Sequence, residues 1–299
     1  MKRLLTLLLF ISTALSAKVL IITHNYNRPD FIELQHKTFK KFLKDDYEYV
    51  VFNDATSDHM RQNIYDMCNR YHIRCIEIPQ EIHTRPYCPR LPGDNLQQNN
   101  YRHSNCVQYS LDVIGYDHDG VVFIIDSDCL LVRPFSIEDY MADKHISGRI
   151  NRPRNKIQYC SPLFCMIAMN KIPDKKSLNF NAGTINGILG DTGAWSYYYM
   201  QEHPELKIIP VHMTFSHQLF LGDRHINKPA DVHISDELKR SFYEHYGFTD
   251  IEIAFLLNRP DTFEYYLDLN FVHYRGSSYE QDGQKMSIFN NYFNDILAN

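Results

Sequence analysis

The chain has 299 residues, 44% of them hydrophobic, with 21 Tyr and 18 Phe, enough apolar material for a sizeable core and against disorder over most of its length. The formal net charge is -5, and no Lys/Arg block is long enough to follow a phosphate backbone, which argues against a nucleic-acid partner. Length is compatible with two domains or with one large α/β domain.

The first segment is Met1-Lys2-Arg3, an apolar stretch from Leu4 to Leu15, and the small residues Ser16-Ala17. A basic start, a short apolar run and a small-residue end predict a secretory signal peptide over 1–17. The run is short for a membrane span, so a cleaved leader leaves no stable span; an uncleaved signal anchor is the alternative. Either way the chain is expected in the secretory pathway (the ER or Golgi lumen) or secreted. Seven cysteines enter that oxidising setting, and the odd count leaves at least one free or paired between chains. Cys68 and Cys75 are near enough in sequence for a helix-to-strand staple. Cys129 reads as an inert core thiol, and no Cys-x-x-Cys exists to suggest structural zinc.

Val19-Leu20-Ile21-Ile22 predicts a buried strand ending in Thr23-His24-Asn25. Pro29 suits the first turn of a helix with Phe31, Leu34, Thr38 and Phe42 near one face. Tyr47 to Phe52 predicts a second strand ending in Asn53-Asp54, and Ser57 a cap for the next helix. Ile73 to Ile78 makes a third strand. After a loop-like stretch from Thr84 to Asn100, a helix from about Tyr101 to Tyr116 leads into the strand Val121-Val122-Phe123-Ile124-Ile125. This alternation predicts an α/β fold, a mostly parallel Rossmann-like sheet flanked by helices. The second half is less regular, with apolar runs at Leu163–Met169, Leu206–Val211 and Asn270–Tyr274. With no Pro/Gly/Ser-rich linker, residues 18–299 are expected to form a single two-part domain, 18–135 and 136–299. By analogy with other folds of this kind, and not by derivation, the first is a nucleotide-binding half and the second an acceptor-side half.

Asp126-Ser127-Asp128 ends the Val121–Ile125 strand. A strand of five apolar residues is buried on both faces, and open α/β sheets place ligands at such strand ends. Two carboxylates there repel unless a cation shares them, and a divalent metal held by only two carboxylates keeps positions open for diphosphate oxygens. The opposing reading is a solvated acidic turn.

The stretch from Val121 through Asp126-Ser127-Asp128 to Pro134-Phe135 resembles the D-x-D strand of GT-A-fold glycosyltransferases, nucleotide-diphospho-sugar transferases. Asn179-Phe180-Asn181-Ala182-Gly183 is similar to their downstream N-x-G element, and Phe271-Val272-His273-Tyr274-Arg275-Gly276 to their C-terminal H-F-x-G segment. The order and spacing of the three match that fold across most of the mature chain. The resemblance implies Asp126, Asp128 and His273 as ligands of Mn²⁺ or Mg²⁺. It sets Thr23, Asn25 and Asp54 against base and ribose, with Ser127 beside the donor and Asn181 towards the sugar. The Lys-Pro-Trp that often follows H-F-x-G is absent, which leaves Arg275 as the substitute contact to the diphosphate.

Other candidates come from the residues themselves. Arg102-His103, on the helix before the D-x-D strand, either reaches phosphate oxygens or forms a solvated face. Asp191, flanked by Gly190 and Thr192-Gly193, either caps the helix from Ala194 to Gln201 or is aimed outward to orient a hydroxyl or act as general base. Trp195 either stacks on a sugar face or belongs to the core.

These readings converge on a metal-dependent glycosyltransferase, a hexosyltransferase by type. It takes a nucleotide-sugar donor and an acceptor of unspecified class: glycan, protein or lipid. The alternatives are a secreted, non-catalytic carbohydrate- or nucleotide-sugar-binding protein of the same fold, and a haloacid-dehalogenase-like phosphatase with Asp126 as nucleophile.

Overall fold

A computed structural model describes residues 19–84, 98–151, 157–215, 263–267, 269–274 and 283–298. The leader, Cys88 and Arg275 lie outside the described residues. No helix among those described is long and apolar enough to cross a membrane.

The predicted elements form where the apolar pattern places them. β1 (Val19–Asn25), β2 (Tyr47–Asn53) and β3 (Arg74–Glu77) alternate with α1 (Pro29–Phe42) and α2 (Asp58–Arg70). Pro29 sits in the first turn of α1, and the Ser57 hydroxyl caps α2 by accepting the Met60 N–H. α3 (Gln98–Ser110) runs into a wider π turn at Leu111–Gly115, followed by β4 (Val121–Ile125) and the short β5 (Cys129–Leu131). α4 (Ile137–Met141), β6 (Ile146–Asn151), β7 (Tyr159–Ala168), β8 (Gly183–Ile185), β9 (Ile188–Gly190), α5 (Ser196–Glu202) and β10 (Ile208–Pro210) follow. β11 (Met213–Phe215), β12 (Phe263–Tyr266), β13 (Phe271–Tyr274) and α6 (Gly283–Ala298) complete the described elements.

Seven strands form the main sheet in the order β10-β6-β7-β4-β1-β2-β3. β7 runs antiparallel to both its neighbours, β4 and β6, while the other pairings are parallel. This is the mostly parallel, helix-flanked sheet anticipated from the sequence, and strands from beyond residue 135 complete it. α1, α2 and α4 cover one face, α3 and α5 the other. A second sheet, antiparallel throughout, has the order β11-β12-β13-β5.

The two sheets meet in an aromatic nest. Phe164 of β7 stacks on Tyr266 of β12 at 5.0 Å and meets Phe123 and Phe271 edge-on, each at 4.9 Å. These geometries are the favourable ones for aromatic pairs and add to the area they bury. The nest therefore holds β13, which carries His273, against the strand that leads to Asp126.

The six described cysteines are free thiols. Cys68 and Cys75 do lie side by side, and their mutual hydrogen bond raises the Cys68 thiol, but no staple joins them.

Phe164→Ala should cost about 3–5 kcal/mol of stability, the usual range for removing a buried aromatic ring. Urea unfolding followed by far-UV circular dichroism measures this; a loss below about 1 kcal/mol would show that the nest is not what joins the sheets.

Candidate functional site

Three parallel strands end side by side, and residue parity decides what each presents. Leu20 and Ile22, Val50 and Phe52, and Val122 and Ile124 all pack on the α3 face of the sheet. Continuing that alternation past the strand ends brings His24, Asp54 and Asp126 to the same side. α3 lies across these ends and meets each of them. The Arg102 guanidinium grips Asp54 with two bonds, Nε to Oδ2 at 2.7 Å and Nη2 to Oδ1 at 2.6 Å. The His103 Nε2 stands 3.5 Å from Asp126 Oδ1, and its ring meets His24 edge-on at 5.9 Å. A crevice of about 320 Å³ opens between them, its far wall made by Ser161, Leu163, Asp191 and Thr192.

Asp126-Ser127-Asp128 is the turn by which the chain leaves the main sheet and enters the second one. Its backbone is pinned from several sides. The Asp126 N–H bonds Leu163 O at 2.9 Å, the Cys129 N–H bonds Asp126 O at 3.0 Å, and the Tyr274 N–H bonds Asp128 O at 3.0 Å. The buried Gln35 amide donates to both Asp126 O and Cys129 O at 2.9 Å while its own oxygen accepts from Tyr49 OH at 2.7 Å. The backbone that carries the two carboxylates is thus held in place.

His273 comes to them on β13. Its Nε2 is 3.2 Å from Asp128 Oδ1, and its Nδ1 is 3.0 Å from Oε2 of Glu264 on β12. Ligand atoms of Asp126, Asp128 and His273 all lie within 4.8 Å of one another. Burial opposes charge on His273, but Asp128 and Glu264 outweigh it and raise its pKa to about 10. Burial raises Asp126, with His103 pulling it down and Asp128 pushing it up again. Two carboxylate oxygens and one imidazole nitrogen form a donor set that suits Mn²⁺ or Mg²⁺.

The remaining predicted residues divide. Asp54, Arg102, Ser127 and Asp191 line the same crevice as Asp126 and Asp128. Arg102 is a wall fixed to Asp54 rather than a free arm, its guanidinium 5.1 Å over the Tyr26 ring. Asp54 also takes His83 Nε2 at 2.8 Å. Burial raises the Asp54 pKa, but His83 and Arg102 more than compensate and hold it below its usual value.

Asp191 is exposed. Its carboxylate accepts the Thr192 N–H at 2.7 Å, and its own N–H is held by Tyr159 OH at 2.8 Å. The turn needs Gly193, at φ +92°, because a Cβ there would stand 2.0 Å from Cys160 O. The helix that follows begins at Ser196 and has no side-chain cap, so Asp191 does not cap it.

Thr23 and Asn25 do not line the crevice. Both are fully buried on the opposite face, where the Asn25 side chain bonds the Arg28 backbone at 2.8 and 3.0 Å. Their neighbours His24 and Tyr26 line it instead. Burial and His103 lower the His24 pKa to about 3, so its imidazole is neutral, with Nε2 2.9 Å from Ser110 Oγ. Asn181 and Trp195 also lie off the crevice lining. Asn181 is buried and its carbonyl accepts the Trp195 N–H, while the indole packs with Ile157, Tyr159, Ile185 and Ala194. The core reading of Trp195 is the one its contacts support.

No protein-family model matches the sequence, and no curated protein matches it. Several solved structures are similar in fold. A mannosyltransferase from Pyrobaculum calidifontis in complex with GDP-Man and Mn²⁺ is 12% identical at a TM-score of 0.39, over 66% of this chain and 55% of that one. The chain therefore spans just over half the length of that protein. The galactosyltransferase LgtC in complex with donor and acceptor sugar analogs is 10% identical at a TM-score of 0.41, over 93% and 95% of the two chains. Glucosyl-3-phosphoglycerate synthase from Mycobacterium tuberculosis, in complex with Mn²⁺, UDP and glucosyl-3-phosphoglycerate, is 14% identical at 0.40, over 65% and 69%. The chemistry of the crevice follows from its own residues.

With a pKa raised to about 10, His273 is an imidazolium at neutral pH and must lose a proton before it can bind a metal. Mn²⁺ affinity should therefore rise with pH, up to about tenfold per unit, and level off above pH 10. The metal-free protein should show the opposite trend. The His273 ion pairs stabilise it fully below the unfolded value near 6.5 and are lost as pH rises through about 10. Calorimetry in buffers of different ionisation enthalpy should detect about one proton released per Mn²⁺; release of none would contradict the charged state of His273.

Proposed function

We propose that the protein is a divalent-metal-dependent glycosyltransferase, moving a sugar, a hexose by type, from a nucleotide-diphosphate sugar to an acceptor hydroxyl. The observation that supports this reading best is the meeting of Asp126, Asp128 and His273 at the crevice formed by parallel strand ends. Bound there, Mn²⁺ or Mg²⁺ would offset charge on a departing nucleoside diphosphate.

The protein's own groups have distinct tasks in this reading. Asp126 and Asp128 would hold the metal from a turn whose backbone is pinned, and His273 would complete the protein ligands. Ser127, between the two acids, faces the donor. Arg102, fixed by Asp54, sets a positive wall along one side of the crevice, with Tyr26 exposed beneath it. On the far wall Asp191 is an accessible carboxylate whose orientation is set by Thr192 and the Gly193 turn. In this reading it takes a proton from, or orients, an acceptor hydroxyl. The domain reading, one two-part unit over 18–299 that is delivered to the secretory pathway, is part of the same proposal.

A panel of nucleoside diphosphates and nucleotide sugars, screened by thermal shift with and without Mn²⁺, tests it. At a hundredfold excess over Kd, a ligand that binds only the folded state adds about 2.7 kcal/mol. For a chain of this size that is a rise of roughly 5 °C. Asp126→Ala and Asp128→Ala should abolish the metal-dependent shift. Asp191→Asn should keep donor binding and slow sugar transfer or donor hydrolysis by roughly 10²–10⁴-fold. Nucleotide binding that is indifferent to Mn²⁺ and to both alanine variants would refute the assignment. Binding of a donor with no hydrolysis or transfer would leave a non-catalytic binding protein.

A further inference from the structure

We propose that Glu264 is the positioning carboxylate for His273, holding its Nδ1–H so that Nε2 faces the gap between Asp126 and Asp128. The assignment rests on the metal reading of that site.

Glu264 and His273 are direct partners in the antiparallel register of β12 and β13, which places the two side chains on one face of the second sheet. Oε2 of Glu264 lies 3.0 Å from His273 Nδ1, and the opposite ring nitrogen lies 3.2 Å from Asp128 Oδ1. The imidazole is therefore fixed at both ends along one line, from a buried carboxylate to the crevice. Glu264 is in turn fixed: it has no solvent exposure, its Oε2 accepts from Tyr266 OH at 2.7 Å, and Arg149 Nη1 approaches the same oxygen at 3.6 Å.

A charge buried this completely is costly unless it is paired and hydrogen-bonded. Its partners here serve a histidine whose other nitrogen points at two carboxylates on an open crevice. A carboxylate on the far nitrogen fixes the tautomer and ring angle of a metal-binding histidine and raises its basicity. Glu264 occupies that position, and the crevice itself does not include it.

The test uses the full chain carrying Glu264→Leu, Glu264→Gln or Tyr266→Phe, with Mn²⁺ alone as the probe. Affinity comes from calorimetry, and electron spin-echo modulation of bound Mn²⁺ reports the nitrogen ligand. Wild type should bind Mn²⁺ with a nitrogen signal. Glu264→Leu should lose 10–100-fold in affinity, the usual cost of removing such a partner, and the nitrogen signal with it. Glu264→Gln, whose amide oxygen can still accept from Nδ1–H, should recover part of both. A folded Glu264→Leu with wild-type affinity and an intact nitrogen signal overturns the assignment alone. If that variant does not fold, wild-type affinity in both Glu264→Gln and Tyr266→Phe overturns it. A wild-type chain that binds no Mn²⁺ overturns the metal site and the assignment together.

Discussion

Two carboxylates one residue apart, placed on the turn where the chain passes from one sheet to another, repel each other, and much of the molecule is arranged around holding them. The turn has little freedom of its own. Gln35 ties its carbonyls to α1, Leu163 ties it to β7, and Tyr274 ties it to β13. Because β4 belongs to the main sheet and β5 to the second, displacing either acid would disturb the packing between sheets. That packing is the Phe123, Phe164, Tyr266 and Phe271 nest, so the energy that joins the sheets also fixes the spacing of the acids. A site on a rigid crossing is well suited to a cation whose ligands must not relax away from it.

Much of this was legible in the sequence, for identifiable reasons. The strands announced themselves as apolar runs, and the acids that end β4 stood out against five apolar residues. His273 entered through family resemblance rather than through any periodicity. Where the reading went astray, the cause is the burial of both faces of β1. Val19 to Ile22 carry no polar alternation, so nothing in the chain told which of Thr23, His24 and Asn25 would face α3. Only the register against β2 and β4 settles that His24 and Tyr26 face the crevice. Glu264 and Gln35 were missed for a different reason. Each acts through a contact between elements distant in sequence, a hairpin register in one case and a helix-to-turn amide in the other. The faint signal for Glu264 was a lone acid in the aromatic strand Phe263-Glu264-Tyr265-Tyr266.

Among the described residues two clusters bordering the crevice have groups that could hold a metal, and their surroundings separate them. Asp54, His83 and Cys106 lie within ligand distance of one another, as do Asp126, Asp128 and His273. Asp54, however, already has a cation: Arg102 bonds both of its oxygens and also donates to its backbone carbonyl at 3.1 Å. Burial, and then Asp54 itself, push the Cys106 thiol well up, so it offers a protonated sulfur rather than the thiolate a metal needs. A metal entering there would have to displace a bidentate guanidinium and deprotonate a buried thiol. At the other cluster two carboxylates face His103 and His273 rather than a bidentate guanidinium, and a metal there competes with the proton on His273 and with the burial that raises Asp126. Glu264 makes that proton harder to remove, yet it keeps the remaining one on Nδ1 and so leaves Nε2 as the donor atom towards the crevice. The fixed cation of Arg102 and a metal held by Asp126 and Asp128 would then line one crevice, which is the charge distribution a diphosphate requires.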